Sequence, residues 1–141
     1  MLLQPLIIKG NRHQDERGTL TFNNDFSAFG VKRFYTIENA SLEFKRAWQG
    51  HRLEQRWFSA IVGSFEIKLV EIDQWENPSK NLSVLKFILT AETLDILHIP
   101  AGFATSIQGL AKDSKLLLFA DYQLGELQDE FRYPSDYFTD N

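Results

Sequence analysis

No cysteine occurs among the 141 residues, which excludes disulfides, thiolate nucleophiles and zinc–thiolate sites. Glycine and proline are scarce, at 8 and 4 residues, and no internal repeat or low-complexity run divides the chain. One domain over 1–141 is therefore expected. Cationic excess is also missing: 15 Lys and Arg against 19 Asp and Glu leave a net charge of −4. That balance offers no footprint for nucleic acid or an anionic membrane, and an anionic ligand would need a locally basic pocket. Long apolar runs are absent too. The opening MLLQPLIIKG lacks a basic n-region and turns polar at Lys9, so it reads neither as a signal peptide nor as a membrane span. A cytoplasmic chain is the expectation.

What is present is an aromatic-rich apolar set: 43% hydrophobic residues, with 12 Phe, 4 Tyr and 3 Trp. It falls in short runs between turn signals, the all-β pattern. Strands are expected near Leu6–Lys9, Thr19–Asn23, Val31–Ile37, Glu43–Trp48, Arg56–Val62, Ser64–Ile72, Ser83–Leu89, Asp95–Ile99, Ala104–Gln108 and Ser114–Ala120. Gly63-Ser64 reads as a tight hairpin turn. In the strand that follows, Phe65, Ile67 and Leu69 fall on one face. No run supports an amphipathic helix longer than about three turns. Short strands in this number point to a sandwich or barrel, and a jelly-roll barrel leaves a mouth in which small ligands bind. The acidic, aromatic segment 124–141 reads as a C-terminal docking tail.

One stretch departs from the pattern. Arg46 to Phe58, RAWQGHRLEQRWF, mixes three Arg, two Gln, a Glu and a His with two Trp. With it, in order along the chain, stand DERG (Asp15–Gly18), VKRFYTI (Val31–Ile37), the VGSF hairpin (Val62–Phe65), IPAGFATSIQ (Ile99–Gln108) and ADY (Ala120–Tyr122). Together these resemble the cupin family of sugar-nucleotide epimerases and ketoisomerases. That family includes the dTDP-4-dehydrorhamnose 3,5-epimerases and the WxcM-like dTDP-4-keto-6-deoxyglucose 3,4-ketoisomerases. The resemblance implies a double-stranded β-helix, the jelly-roll cupin barrel, forming a homodimer and binding a nucleotide sugar without a cofactor.

Residue by residue, the resemblance makes Arg17 and Arg46 diphosphate anchors and Arg56 a third basic contact. A planar, permanently charged guanidinium suits phosphate. Trp48 is expected to form a stacking wall for a base or sugar ring. Tyr35 matches a pocket tyrosine. The epimerases' base is replaced by Gln49, their late-strand tyrosine acid by Leu117, and a further His by Thr105. An amide cannot take a proton at neutral pH, so 3,5-epimerase chemistry of the usual kind is not expected. Gln49 and His51 lie two apart and share a strand face. His51 with Tyr35 is the surviving acid–base set, with Glu54 as an orienting carboxylate. Gln49 and Thr105 remain as substrate contacts.

His98, in LDILHIP, reads as structural, and His13 as solvated. Metal-binding cupins combine His and Glu from one motif with a later His. Here Glu54 stands three residues from His51, which on a strand means opposite faces, and the later position is Thr105, so no metal is expected. Two functions stay open beside a purely structural reading of the barrel as a dimerisation or interaction domain. One is an isomerase or epimerase acting on a nucleotide-linked 4-keto-6-deoxy sugar by proton transfer, its usual base replaced. The other is a non-catalytic cupin module that binds a nucleotide sugar or glycan.

Overall fold

The computed structural model describes residues 3–139, and among them the only regular elements are strands. Two five-stranded antiparallel sheets face each other. Sheet I runs, in order of pairing, β1 (Leu6–Ile8), β9 (Ile96–Ile99), β6 (Arg56–Val62), β11 (Lys115–Ala120) and β4 (Arg33–Ile37). Sheet II runs β12 (Phe131–Arg132), β5 (Arg46–His51), β10 (Phe103–Gly109), β7 (Ser64–Glu71) and β8 (Leu85–Thr90). A separate hairpin joins β2 (Asn11–Asp15) to β3 (Gly18–Phe22). This is the expected all-β jelly roll. No helix among the described residues is long and apolar enough to cross a membrane.

The core follows from period-2 alternation. Phe65, Ile67 and Leu69 of β7 are fully buried against Phe58, Leu97, Leu116 and Leu118 of sheet I. Each such side chain contributes about 1.5–3 kcal/mol by leaving water. The turn before β7 needs glycine twice over. Gly63 has φ +71°, and an added Cβ would lie 2.1 Å from the Ser114 hydroxyl.

The opposite face of β7 is buried as well. Val70 and Ile72 join Trp48, Ala104 and Phe138 in a second cluster outside sheet II. The chain after β12 makes this cover. Trp48 and Tyr133 exchange both backbone hydrogen bonds at 3.0 Å. Phe138 packs edge-on against Trp48, with ring centroids 5.1 Å apart. The Tyr133 hydroxyl donates to the Trp75 carbonyl at 2.8 Å.

Three elements differ from the sequence expectation, one of them β12, a two-residue strand inside the segment read as a docking tail. Asn11–Asp15 is a strand although every residue in it is polar and alternation gives no signal; it pairs only within its hairpin. The expected strand Glu43–Trp48 lies further along, at Arg46–His51. Its register is fixed by β10, where Phe103 opposes His51 and Thr105 opposes Gln49. The polar residues are therefore inside the strand rather than after it.

Candidate active site

Between the open edges of the sheets lies a cavity of about 500 Å³. Sheet I contributes Arg33, Tyr35 and Arg56, sheet II contributes Arg46, Gln49 and His51, and the segment from Tyr122 to Arg132 supplies the rest of the wall. β4 brings Arg33, Tyr35 and Ile37 inward because residues two apart share a face. β5 does the same for Gln49 and His51, while Trp48 and Gly50 point outward.

His51 is 7% exposed. Its Nδ1 lies 3.0 Å from the Asp129 carbonyl oxygen. A carbonyl only accepts, so Nδ1 carries the proton in the neutral ring and Nε2 keeps its lone pair. That Nε2 is buried and has no hydrogen-bond partner. Burial, and secondly the Arg56 charge, push the imidazole pKa down to about 4; Asp129 and Glu130 oppose the shift. At neutral pH the ring is an unprotonated acceptor at the cavity wall.

Glu54 stands 3.7 Å from His51 Nδ1. The same-strand argument had put it on the opposite face, but β5 ends at His51 and the following turn brings Glu54 back. Asp129 holds that turn. Its carboxylate accepts the backbone N–H groups of Arg52, Leu53 and Glu54 at 2.9, 2.8 and 2.8 Å. Glu54 in turn receives Arg56 through Nε at 2.8 Å and Nη2 at 2.6 Å. The remaining arm of Arg56 donates to the Tyr35 hydroxyl oxygen. A guanidinium has no acceptor, so Tyr35 receives this bond and keeps its own proton for donation elsewhere.

Of the residues expected from the sequence, Tyr35, Arg46, Gln49, His51 and Arg56 come together here. Three do not. Arg17 lies at the tip of the β2–β3 hairpin, 2.7 Å from Asp15 and 81% exposed, away from the cavity. Trp48 alternates to the outer face and is sealed under Phe138, so it forms no wall of the site. Thr105 shares the inward face of sheet II but is covered, its hydroxyl 3.5 Å from the Gln49 carbonyl. Leu117 is outside too. Its inward neighbours Leu116 and Leu118 are fully buried apolar residues, so β11 presents no acid to the cavity. His98 stacks on Trp57 at 5.0 Å and bonds Gln55 at 2.7 Å, a structural role. Among the described residues, no group of three His, Cys, Asp or Glu is placed to hold a metal.

Arg33, Asp129, Glu130 and Arg132 also line the cavity, and the sequence reading passed over all four. Arg33 was within reach, being two residues before Tyr35 on one strand. The other three were not, because only the pairing of β12 with β5 carries them to the site. Among the described residues, Arg33 and Arg46 have no carboxylate within ion-pair distance. Arg33 lies 4.6 Å from the Tyr35 ring centroid and Arg46 lies 5.8 Å from that of Phe44. The cavity thus offers two uncommitted cations, a phenol donor and an imidazole acceptor.

No curated protein sequence matches the chain. Several solved structures do. A histidine-to-asparagine mutant of the 3,4-ketoisomerase QdtA from Thermoanaerobacterium thermosaccharolyticum, in complex with TDP-4-keto-6-deoxyglucose, is 20% identical with a TM-score of 0.71, covering 94% of this chain and 90% of that one. The TDP-quinovose 3,4-ketoisomerase WlaRB from Campylobacter jejuni is 21% identical with a TM-score of 0.71, covering 94% and 95%. The rmlC epimerase of Mycobacterium tuberculosis is 16% identical with a TM-score of 0.69, covering 91% and 68%. These likenesses establish the shared fold. Residues 4–140 match the family model described as FdtA: WxcM-like, C-terminal, and the chain belongs to that family.

Proposed function

We propose that this protein is an isomerase of a nucleotide-linked 4-keto-6-deoxy sugar, dTDP being the expected nucleotide, and that it works by proton transfer next to the ketone. The observation that carries this reading is the buried, unpartnered Nε2 of His51 beside a phenol whose proton is free. Structurally similar ketoisomerases in complex with TDP and with a TDP-keto-sugar support it.

His51 Nε2 takes the proton from the carbon beside the carbonyl. The C–H pair becomes the enolate double bond, and the carbonyl oxygen gains the charge. Tyr35, polarised by Arg56, donates to that oxygen. With the Tyr35 proton on that oxygen the intermediate is an enediol. The hydroxyl on the deprotonated carbon then returns a proton to the Tyr35 phenolate and becomes the new carbonyl, while the imidazolium protonates the former carbonyl carbon, so that both Tyr35 and His51 regain their starting forms. Arg46 and Arg33 hold the diphosphate. An imidazole with a pKa of about 4 is a weak base in the empty site. The negative charge of a diphosphate bound in the same cavity opposes the Arg56 influence, the smaller of the two causes, and so raises the basicity of His51.

The test is incubation with dTDP-4-keto-6-deoxyglucose in deuterated water, followed by mass spectrometry and proton NMR. Deuterium enters next to the ketone with wild type and does not with His51→Ala, which still binds dTDP. Absence of exchange at stoichiometric enzyme overturns the catalytic reading. Binding of dTDP without exchange would instead support a binding module, which the commitment of Gln49 to Glu130 favours. Homodimerisation belongs to the same proposal. It is supported by the uncovered aromatic row on the outer face of sheet I, where Phe34 is 72% exposed.

A further inference from the structure

Between His51 and Arg46 the cavity wall carries a group that the proton-transfer scheme leaves unused. Gln49 Nε2 donates to Glu130 Oε1 at 2.7 Å. Arg132 Nε donates to the same oxygen at 2.6 Å. Arg132, followed by its charge and the Gln49 bond, holds the Glu130 carboxyl below the usual carboxylate range. An ionised carboxylate only accepts, so the Gln49 amide must present its NH₂ to Glu130 and its Oε1 elsewhere. The donors described here converge on Glu130 Oε1; among the described residues none is placed on Oε2. Glu130, Gln49 and His51 all line the cavity, and each keeps an acceptor atom that no donor among the described residues occupies: Glu130 Oε2, Gln49 Oε1 and His51 Nε2. The last is the buried, unpartnered atom already described.

Spacing and charge say what such a wall can hold. Gln49 and His51 are two residues apart on β5, about 7 Å along an extended strand, comparable to the width of a pyranose ring. Arg46 lies five residues from His51, roughly 16 Å away along the same strand. A diphosphate is repelled by Glu130 and attracted by Arg46. The middle of the cavity must instead be met by groups that donate.

Resting on the reading of a nucleotide-sugar site, we infer that Gln49 and Glu130 form an acceptor pair that selects the free hydroxyls of the sugar ring, and that they are the specificity-determining residues of this site. Where the sequence pattern of the epimerases has an imidazole, this chain has an amide locked to a carboxylate. The exchange turns a proton-transfer position into a hydroxyl-reading one. Arg132 is the positioning residue that keeps Glu130 ionised and pointed along the wall.

The test separates the sugar from the nucleotide by titration calorimetry. Wild type, Glu130→Ala and Gln49→Leu are each titrated with dTDP, dTDP-glucose and an analogue lacking one ring hydroxyl. The inference expects opposite signs for Glu130→Ala. dTDP binds as tightly or more tightly, because a negative charge has left the cavity, while dTDP-glucose binds about tenfold more weakly, the size of one lost charge-assisted hydrogen bond. Gln49→Leu weakens only the sugar-bearing ligand. For at least one deoxy analogue, wild type and Glu130→Ala bind alike, since the coupling is then already broken. Equal weakening of dTDP and dTDP-glucose, or weakening of neither, overturns the inference while leaving the nucleotide site standing. If wild type binds neither ligand, the nucleotide-sugar reading itself fails and the inference goes with it.

Discussion

Sheet II turns Trp48, Val70 and Ala104 outward and buries all three under the tail. Sheet I turns Leu6, His98, Trp57, Phe119 and Phe34 outward in one cross-strand row, each opposite the next in register. Phe26 lies over part of that row, 5.2 Å from Phe119, while Phe34 and Leu6 remain 72% and 58% exposed. The outer faces of both sheets carry apolar residues, and they have opposite fates. One face is closed by the chain itself, and its closure delivers Asp129, Glu130 and Arg132 to the cavity. The other leaves Phe34 and Leu6 largely exposed.

The sharpest way to break this contrast is Phe138→Ala. Removing a fully enclosed aromatic ring should cost about 3–5 kcal/mol in urea unfolding. It should also weaken dTDP binding, because the tail that it anchors continues from β12 at the cavity. A cost no larger than that of a surface substitution would mean that sheet II does not need its cover.

The second test is pH. His51 is held on the sheet II side with its pKa lowered from 6.5 to about 4, mainly by burial. Below its unfolded pKa the unfolded chain binds a proton that the folded chain refuses. Stability should therefore be level above about pH 6.5 and fall between pH 6.5 and 4, by up to about 1.4 kcal/mol per pH unit from this group. His51→Asn should flatten that component when the two proteins are compared by denaturant titration across the window. Parallel curves would show that the imidazole is not desolvated as described.

The smallest effect on stability belongs to the bare face. Phe34→Ser should change monomer stability by less than about 0.5 kcal/mol, as for other exposed positions. It should lower the mass seen in sedimentation at micromolar protein. An unchanged mass for both proteins would remove the role assigned to sheet I.

Much of the fold was legible because alternation reports burial directly. Phe65, Ile67 and Leu69 announced the inner face of β7, and Gly63 announced its turn. The β2 strand was not legible, since its side chains meet solvent on both faces and leave no apolar period. Tyr35, Arg46 and Arg56 were placed at the cavity by the family pattern alone, and Gln49 and His51 by the pattern together with strand parity. Trp48 was misplaced because an aromatic residue beside polar ones looks the same whether it faces a ligand or a tail. Glu54 was misjudged by extending the strand rule past the end of β5. Its return toward His51 depends on the Asp129 carboxylate, 75 residues away in sequence.

By itself, the sequence determined most of the strands, the inner core, the absence of thiol chemistry and, through the family resemblance, an amide at Gln49 where the epimerases carry their base. These are local properties, written in side-chain type and in a period of two. Tertiary structure alone decided that Nε2 of His51 is the free nitrogen, that Tyr35 keeps its proton, and that Glu130 and Gln49 face the cavity together. Each of these depends on which hydrogen-bonding partner arrives from a distant segment, and no pattern along one strand encodes that arrival.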